Sequence, residues 1–246
     1  MSAGSANMPE PTTQAIPLDT TRRTLARNQL RNAILDGSYT AGQKLVEREL
    51  GELTGASRSV LREALASLEA SGLIERESYR GYSVSLLSAR KVGEIFELRS
   101  SLETLAAELF AERASDNEMA ELEELLLALE RCVASADLAQ MRLVKERYYE
   151  LLFSGCRNEE IRRALENIID RVHYLRSQLM SDPIRRETAL AEMRRLTAAL
   201  VNRDRLAARA ASLAHLAAAR DAVLDSMARD TPEYSTSSVQ TRDRHV

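Results

Sequence analysis

Apolar and polar positions follow two rhythms along this chain of 246 residues. From about Thr20 to Leu87, short helical stretches give way to alternation by twos. From about Ser88 to Asp230 the apolar residues recur at three and four throughout. In the first block, a helix over about Thr21–Leu35, with Leu25, Ala33 and Ile34 inward, stops at Asp36-Gly37. A second over about Val46–Thr54, with apolar positions at Leu45, Leu50 and Leu53, stops at Gly55. A third runs from Ser57 to Ala70 on a face of Leu61, Ala64, Leu65 and Leu68, and Gly72 ends it. LIERES and YSVSLL then read as two strands around Tyr79-Arg80-Gly81.

The second block is poor in Gly and Pro. One helix uses Val92, Ile95, Phe96, Leu102, Ala106 and Leu109; the next uses Met119, Leu122, Leu125, Leu126, Leu129 and Val133. Leu138, Met141, Tyr148 and Leu152 mark a further helix, and Ile161, Leu165, Ile168, Val172, Leu175 and Leu179 another. The last two cover about Pro183–Val201 and Asp204–Arg229. The predicted fold is mainly α: a winged helix-turn-helix over 20–87, then an antiparallel bundle of six or seven helices over 88–230. Residues 1–19, with three prolines, and the polar residues 231–246 read as a disordered leader and tail.

Charge sharpens this division. The whole chain has a net charge of −3, which does not suit a nonspecific nucleic-acid coat. Residues 20–87 hold ten Lys/Arg against eight Asp/Glu, and residues 88–246 hold 24 against 27. A slightly basic end on an acidic body fits one small DNA contact surface. Two cysteines, Cys132 and Cys156, form no CxxC pair, which fits a reducing compartment. No apolar run approaches the roughly 18 residues of a membrane span, and the N-terminus lacks an apolar signal core. The expected location is the cytoplasm.

The third helix carries the most specific chemistry. Ser57 is a natural N-cap, which leaves Arg58 and Ser59 at the first exposed positions. Arg58 and Arg62 share a face opposite Leu61 and Leu65. An arginine there can donate two hydrogen bonds to guanine O6 and N7 in the major groove, while serines and helix N-terminal amides suit phosphate. Arg48 projects from the second helix toward the same side, and Arg80-Gly81 forms the tip of the wing. The competing interpretation is that Arg62 pairs with a nearby Glu and Arg48 is solvated surface.

The stretch LRNAILDGSYTAGQKLVERELGELTGASRSVLREALASLEASGLIERESYRGYSV resembles the winged helix of the GntR transcription regulators. The likeness lies in the LxxAILxG, LxExxL, SRxxxREAL and GLI segments. It implies DNA contacts at Arg48, Ser57, Arg58, Ser59, Arg62 and Gly81. Val60 stands where many members have Pro, and Gly51 where many have Ala. EIFELRSSLETLAAELFAERAS, YYELLFSGCRNEEI and NRDRLAARAASLAHL are similar to the FCD domain of one GntR subfamily. That resemblance implies an all-helical, FCD-like domain that dimerises and binds a small acid. Many members hold a divalent metal with an Asp and three His. Those positions fall on Lys145, Tyr149, Met193 and His215, so only His215 matches. The expectation is that the family's metal site is lost and no cofactor is bound. Lys145 and Tyr149, one turn apart, would offer an ammonium and a phenol to a carboxylate in its place.

Arg99 stands in the apolar stripe of its helix beside Ile95, Phe96 and Leu102, where a charge needs a partner. That partner is either a ligand or Glu103, one turn on. His215 lies on an alanine-rich face and is equally compatible with a pocket or a plain core contact. The expectation is a homodimeric DNA-binding transcriptional regulator, a repressor sooner than an activator, that reads a short inverted repeat. A small anionic effector would sit among Arg99, Lys145, Tyr149, Met193 and His215. The alternatives are an enzyme built on a helical bundle and a scaffold whose winged helix binds protein. No nucleophile–His motif or Gly-rich phosphate loop supports the first, and the Arg58/Arg62 face opposes the second.

Overall fold

The computed structural model describes residues 18–77, 81–166, 168–179 and 182–230. Arg80, most of the expected leader and the whole expected tail lie outside them. The described chain begins with α1 (Leu18–Leu35), so Leu18 and Asp19 of the expected leader are helical. Then come β1 (Lys44–Leu45), α2 (Glu47–Thr54), α3 (Arg58–Ala70), β2 (Ile74–Glu77) and β3 (Gly81–Val84). The helical body follows as α4 (Ala89–Arg113), α5 (Asp116–Ser135), α6 (Leu138–Gly155) and α7 (Glu159–Glu166). It ends with α8 (Ile169–Leu179), α9 (Pro183–Val201) and α10 (Arg205–Asp230).

The first unit has its own core of Ala26, Leu30, Ile34, Leu50, Leu61, Leu65, Leu68 and Ile74, among others. Its sheet is antiparallel in the order β1-β3-β2, with Leu45 opposite Tyr82 and Ile74 opposite Val84. The short β1 was not expected, and it takes Leu45 out of the second helix. Leu53 on α2 is exposed, so α2 anchors through Leu50 alone. Of the residues expected inward on α1, Ile34 is buried, but Leu25 is 59% exposed, and Ala26 and Leu30 are buried in its stead. The period of four from Ala26 carries the true seam. Gly55 caps α2 in the left-handed region at φ 61, a conformation that costs glycine little.

Among the described residues, the second unit is a bundle of seven helices. α10 lies along α4 and α9, and α5 packs on α6 and α9. Ser115 and Glu118 form a capping box that starts α5. The single helix expected over Ile161–Leu179 is two, α7 and α8, with Ile168 between them in a turn. Leu138, expected inside, is 41% exposed at the start of α6. Close approach of α6 to α4 requires Gly155, since a Cβ there would stand 2.5 Å from Phe110 Cε2. Among the described residues no helix is long and apolar enough to cross a membrane.

The two units meet along α8. Tyr174 belongs to the first core, whereas Val172 and Leu175 of the same helix belong to the second. Arg171 lies over Gly72, its Cδ 3.0 Å from where a Cβ would be.

Candidate functional site

The exposed end of α3 is built as a presenting surface. Ser57 caps the helix by accepting from the Val60 amide at 3.4 Å. Val60, Leu61, Ala64, Leu65 and Leu68 bury the opposite face. Ser57, Arg58, Ser59 and Arg62 all face solvent. Arg62 Nε lies 3.6 Å from Glu47 of α2, and Arg48 pairs within α2 with Glu52 at 2.8 Å. Both arginines are more than 70% exposed, so these pairs are worth well under about 1 kcal/mol and yield to a stronger acceptor. Gly81 opens β3 at φ 89, and nothing lies within 4 Å of an added Cβ. In the hairpin, the Arg76 guanidinium lies over the Tyr82 ring at 5.9 Å.

Deep in the bundle, Arg99, Lys145, Tyr149 and His215 border one cavity, joined by Leu179, Arg185, Arg186, Ala189 and Ala219. Its volume is about 30 Å³, room for about one or two waters. A cavity of about 340 Å³ shares Leu179 and Arg185 with it. Met193, the remaining expected site residue, is fully buried in the core and does not border the cavity.

Arg99 makes the pairing with Glu103 that its sequence position allowed. It is 1% exposed. Its Nε donates to Glu103 Oε1 at 2.7 Å, and its carbon lies 4.5 Å from the Phe96 ring centre. Nη1 and Nη2 are buried without a hydrogen-bond acceptor. A buried guanidinium edge left this way carries a desolvation cost that a bound anion would relieve.

His215 sits at the centre of a chain of hydrogen bonds. Burial pushes its pKa below the ordinary histidine value, against the hydrogen bond to Glu192, and the nearby Lys145 charge adds to the lowering. The ring is therefore neutral near pH 7. Nδ1–H donates to Glu192 Oε2 at 2.6 Å, which leaves Nε2 to accept from the Tyr149 hydroxyl at 2.9 Å. Glu192 also accepts both ends of the Arg185 guanidinium, at 3.0 and 2.9 Å. Burial raises the Glu192 pKa, but the hydrogen bonds from His215 and Arg185 outweigh it and hold it below the carboxylate norm. The His215 lone pair that a metal would need is thus committed to Tyr149. Among the described residues, no group of three or more His, Cys, Asp and Glu is placed to hold a metal ion.

Sequence reasoning missed Arg185 and Glu192. Their signal was present: with Ala189 and Leu196 they fall at i, i+4, i+7 and i+11 on one α9 stripe. A charged pair inside an apolar stripe marks a buried polar site.

Comparison with known proteins places both regions. The family model for bacterial regulatory proteins of the gntR family matches residues 24–84, and the FCD domain model matches residues 94–218. YdhC, described as an uncharacterized HTH-type transcriptional regulator of Bacillus subtilis (strain 168), is 33% identical over 190 residues, covering 76% of this chain and 84% of that protein. The HTH-type transcriptional repressor GlaR of Escherichia coli (strain K12) is 28% identical over 184 residues, covering 71% of this chain and 83% of GlaR. The solved structure of McbR/YncC from E. coli superposes with a TM-score of 0.74 at 23% identity, covering 84% of this chain and 98% of that one.

Proposed function

The chain belongs to the gntR family of bacterial regulatory proteins, in its FCD-bearing form, and we propose that this DNA-binding transcriptional regulator is a repressor governed by a small organic anion held in the bundle. The observation that carries the effector reading is Arg99, whose Nη1 and Nη2 lie buried and unpartnered at the cavity wall. A carboxylate there would accept both in the side-by-side geometry that guanidinium favours. Lys145 and Tyr149 of the same cavity would supply further donors. The pocket works without a metal, because Tyr149 engages the His215 nitrogen and Lys145 stands at the position of a family ligand.

For DNA, Arg58 and Arg62 would read base edges, and Arg48, Ser57, Ser59 and Gly81 would set the phosphate backbone. Arg80 completes the wing tip by sequence position alone. Two copies would read an inverted repeat in the cytoplasm. The repressor role draws on GlaR, whose name states it; an activator of the same build is the alternative.

The test uses an operator selected from a random duplex library. Arg58→Ala should weaken binding by roughly 5- to 150-fold and relax base preference, the equivalent of about 1–3 kcal/mol. The parent's affinity should fall steeply with salt. Undiminished binding by Arg58→Ala would remove the recognition-helix assignment.

A further inference from the structure

The junction between the units holds a set of charges used by neither the DNA-facing surface nor the pocket. Asp170, at the start of α8, is fully buried. Arg31 of α1 donates through Nε to one of its oxygens at 2.8 Å, and Arg27 donates to the other. Both oxygens of a buried carboxylate are thus neutralised from the other domain. Arg31 Nη2 also reaches Glu146 of α6 at 3.3 Å. Arg142 of α6 reaches back, lying 3.3 Å from Glu146, 3.4 Å from Asn32 Oδ1 and 3.2 Å from Asp36. Each domain therefore contributes both acid and base.

This arrangement is selective for one orientation. Moving the domains apart would strand Asp170 without its countercharge, and a buried charge that loses its partner is strongly destabilising. Packing contacts set the same register, with Tyr174 in the first core and the Arg171 side chain over Gly72. We infer that Asp170, Glu146, Arg27, Arg31 and Arg142 form an interdomain latch that holds the DNA-reading domain at one setting against the bundle. The helices that carry it also border the pocket: α6 through Lys145 and Tyr149, and α8 through Leu179. Tyr149 also borders a separate cavity lined by Arg27, Arg31, Glu146 and Asp170. A shift of α6 or α8 on ligand entry would be felt at the latch. That step rests on the effector reading, whereas the latch itself does not.

The latch is tested by distance measurement between nitroxide labels at Glu49→Cys on α2 and Glu123→Cys on α5, both exposed. Cys132 and Cys156 are buried and label slowly. The labelled chain is diluted into unlabelled chain, so that distances within one chain are read. The parent should give one narrow distribution, and Asp170→Asn should broaden or displace it with the helical circular-dichroism signal retained. If Asp170→Asn does not fold, the less buried pair Arg31→Gln with Arg142→Gln is used, with the same expectation. A distribution already broad in the parent, or equally narrow in a folded variant, overturns the latch.

Discussion

Glu146 is the acid on which the junction's charges converge, and Glu146→Gln removes its charge while keeping its shape. His173 Nδ1 lies 2.7 Å from its Oε1, and Arg31 and Arg142 each lie 3.3 Å away. Burial alone would raise its pKa. The hydrogen bond from His173, followed by the charges of His173, Arg31 and Arg142, outweighs burial and lowers it from 4.5 to about 2. Such a depression corresponds to about 3 kcal/mol of folding stability, at about 1.36 kcal/mol per unit. Partial exposure of the side chain, 19%, makes that a ceiling. The stability is fully present above 4.5, where the carboxyl is ionised in both states. As pH falls below 4.5 the unfolded chain takes up its proton first, and the contribution is lost progressively down to about 2. Urea unfolding should therefore show Glu146→Gln less stable than the parent by about 2–3 kcal/mol near neutrality. The gap should narrow by about 1 kcal/mol at a pH one unit below 4.5. A gap that does not change with pH would refute the assignment of charge-coupled stability to Glu146.

Three further outcomes follow from the packing and the pocket. Gly155→Ala should lower the melting temperature, because an added Cβ meets the buried Phe110 ring at 2.5 Å and overpacking costs about 1–3 kcal/mol against about 1 kcal/mol of helix propensity. Gly51→Ala should raise it by a degree or more in the same assay, since nothing lies within 4 Å of the new Cβ and only the propensity gain of about 1 kcal/mol remains. Lys145→Ala should bind the selected operator like the parent in a fluorescence anisotropy titration while losing the response to an organic acid; loss of operator binding would make Lys145 structural.

The elements most legible in the sequence were those whose pattern is local. α3 announces itself through its Ser57 cap and the Leu61/Leu65 face, and the structure keeps both. On α1, Ile34 was legible as inward, but Leu25 stood in place of Ala26 because it outranks Ala26 in hydropathy, although close helix packing on α3 favours the smaller residue. The break between α7 and α8 was hidden because Ile161, Leu165, Ile168 and Val172 keep a helical period across it. β1 exists only through its pairing with β3 and has no pattern of its own. Arg99, singled out by its place in an apolar stripe, borders one cavity with Lys145, Tyr149 and His215, which the family resemblance supplied, whereas Met193, supplied by the same resemblance, lies in the core. The junction was illegible because Arg31 and Asp170 are 139 residues apart, and no local spacing records such a pairing.

The proposed metal-free anion pocket is probed by melting the purified protein against a panel of small carboxylates and sugar acids, with and without chelator. At least one acid should raise the melting temperature equally in both conditions, as a ligand selective for the folded state must, and Arg99→Met should abolish the rise. A rise that disappears with chelator would overturn the metal-free pocket, since the anion would then be held through a metal.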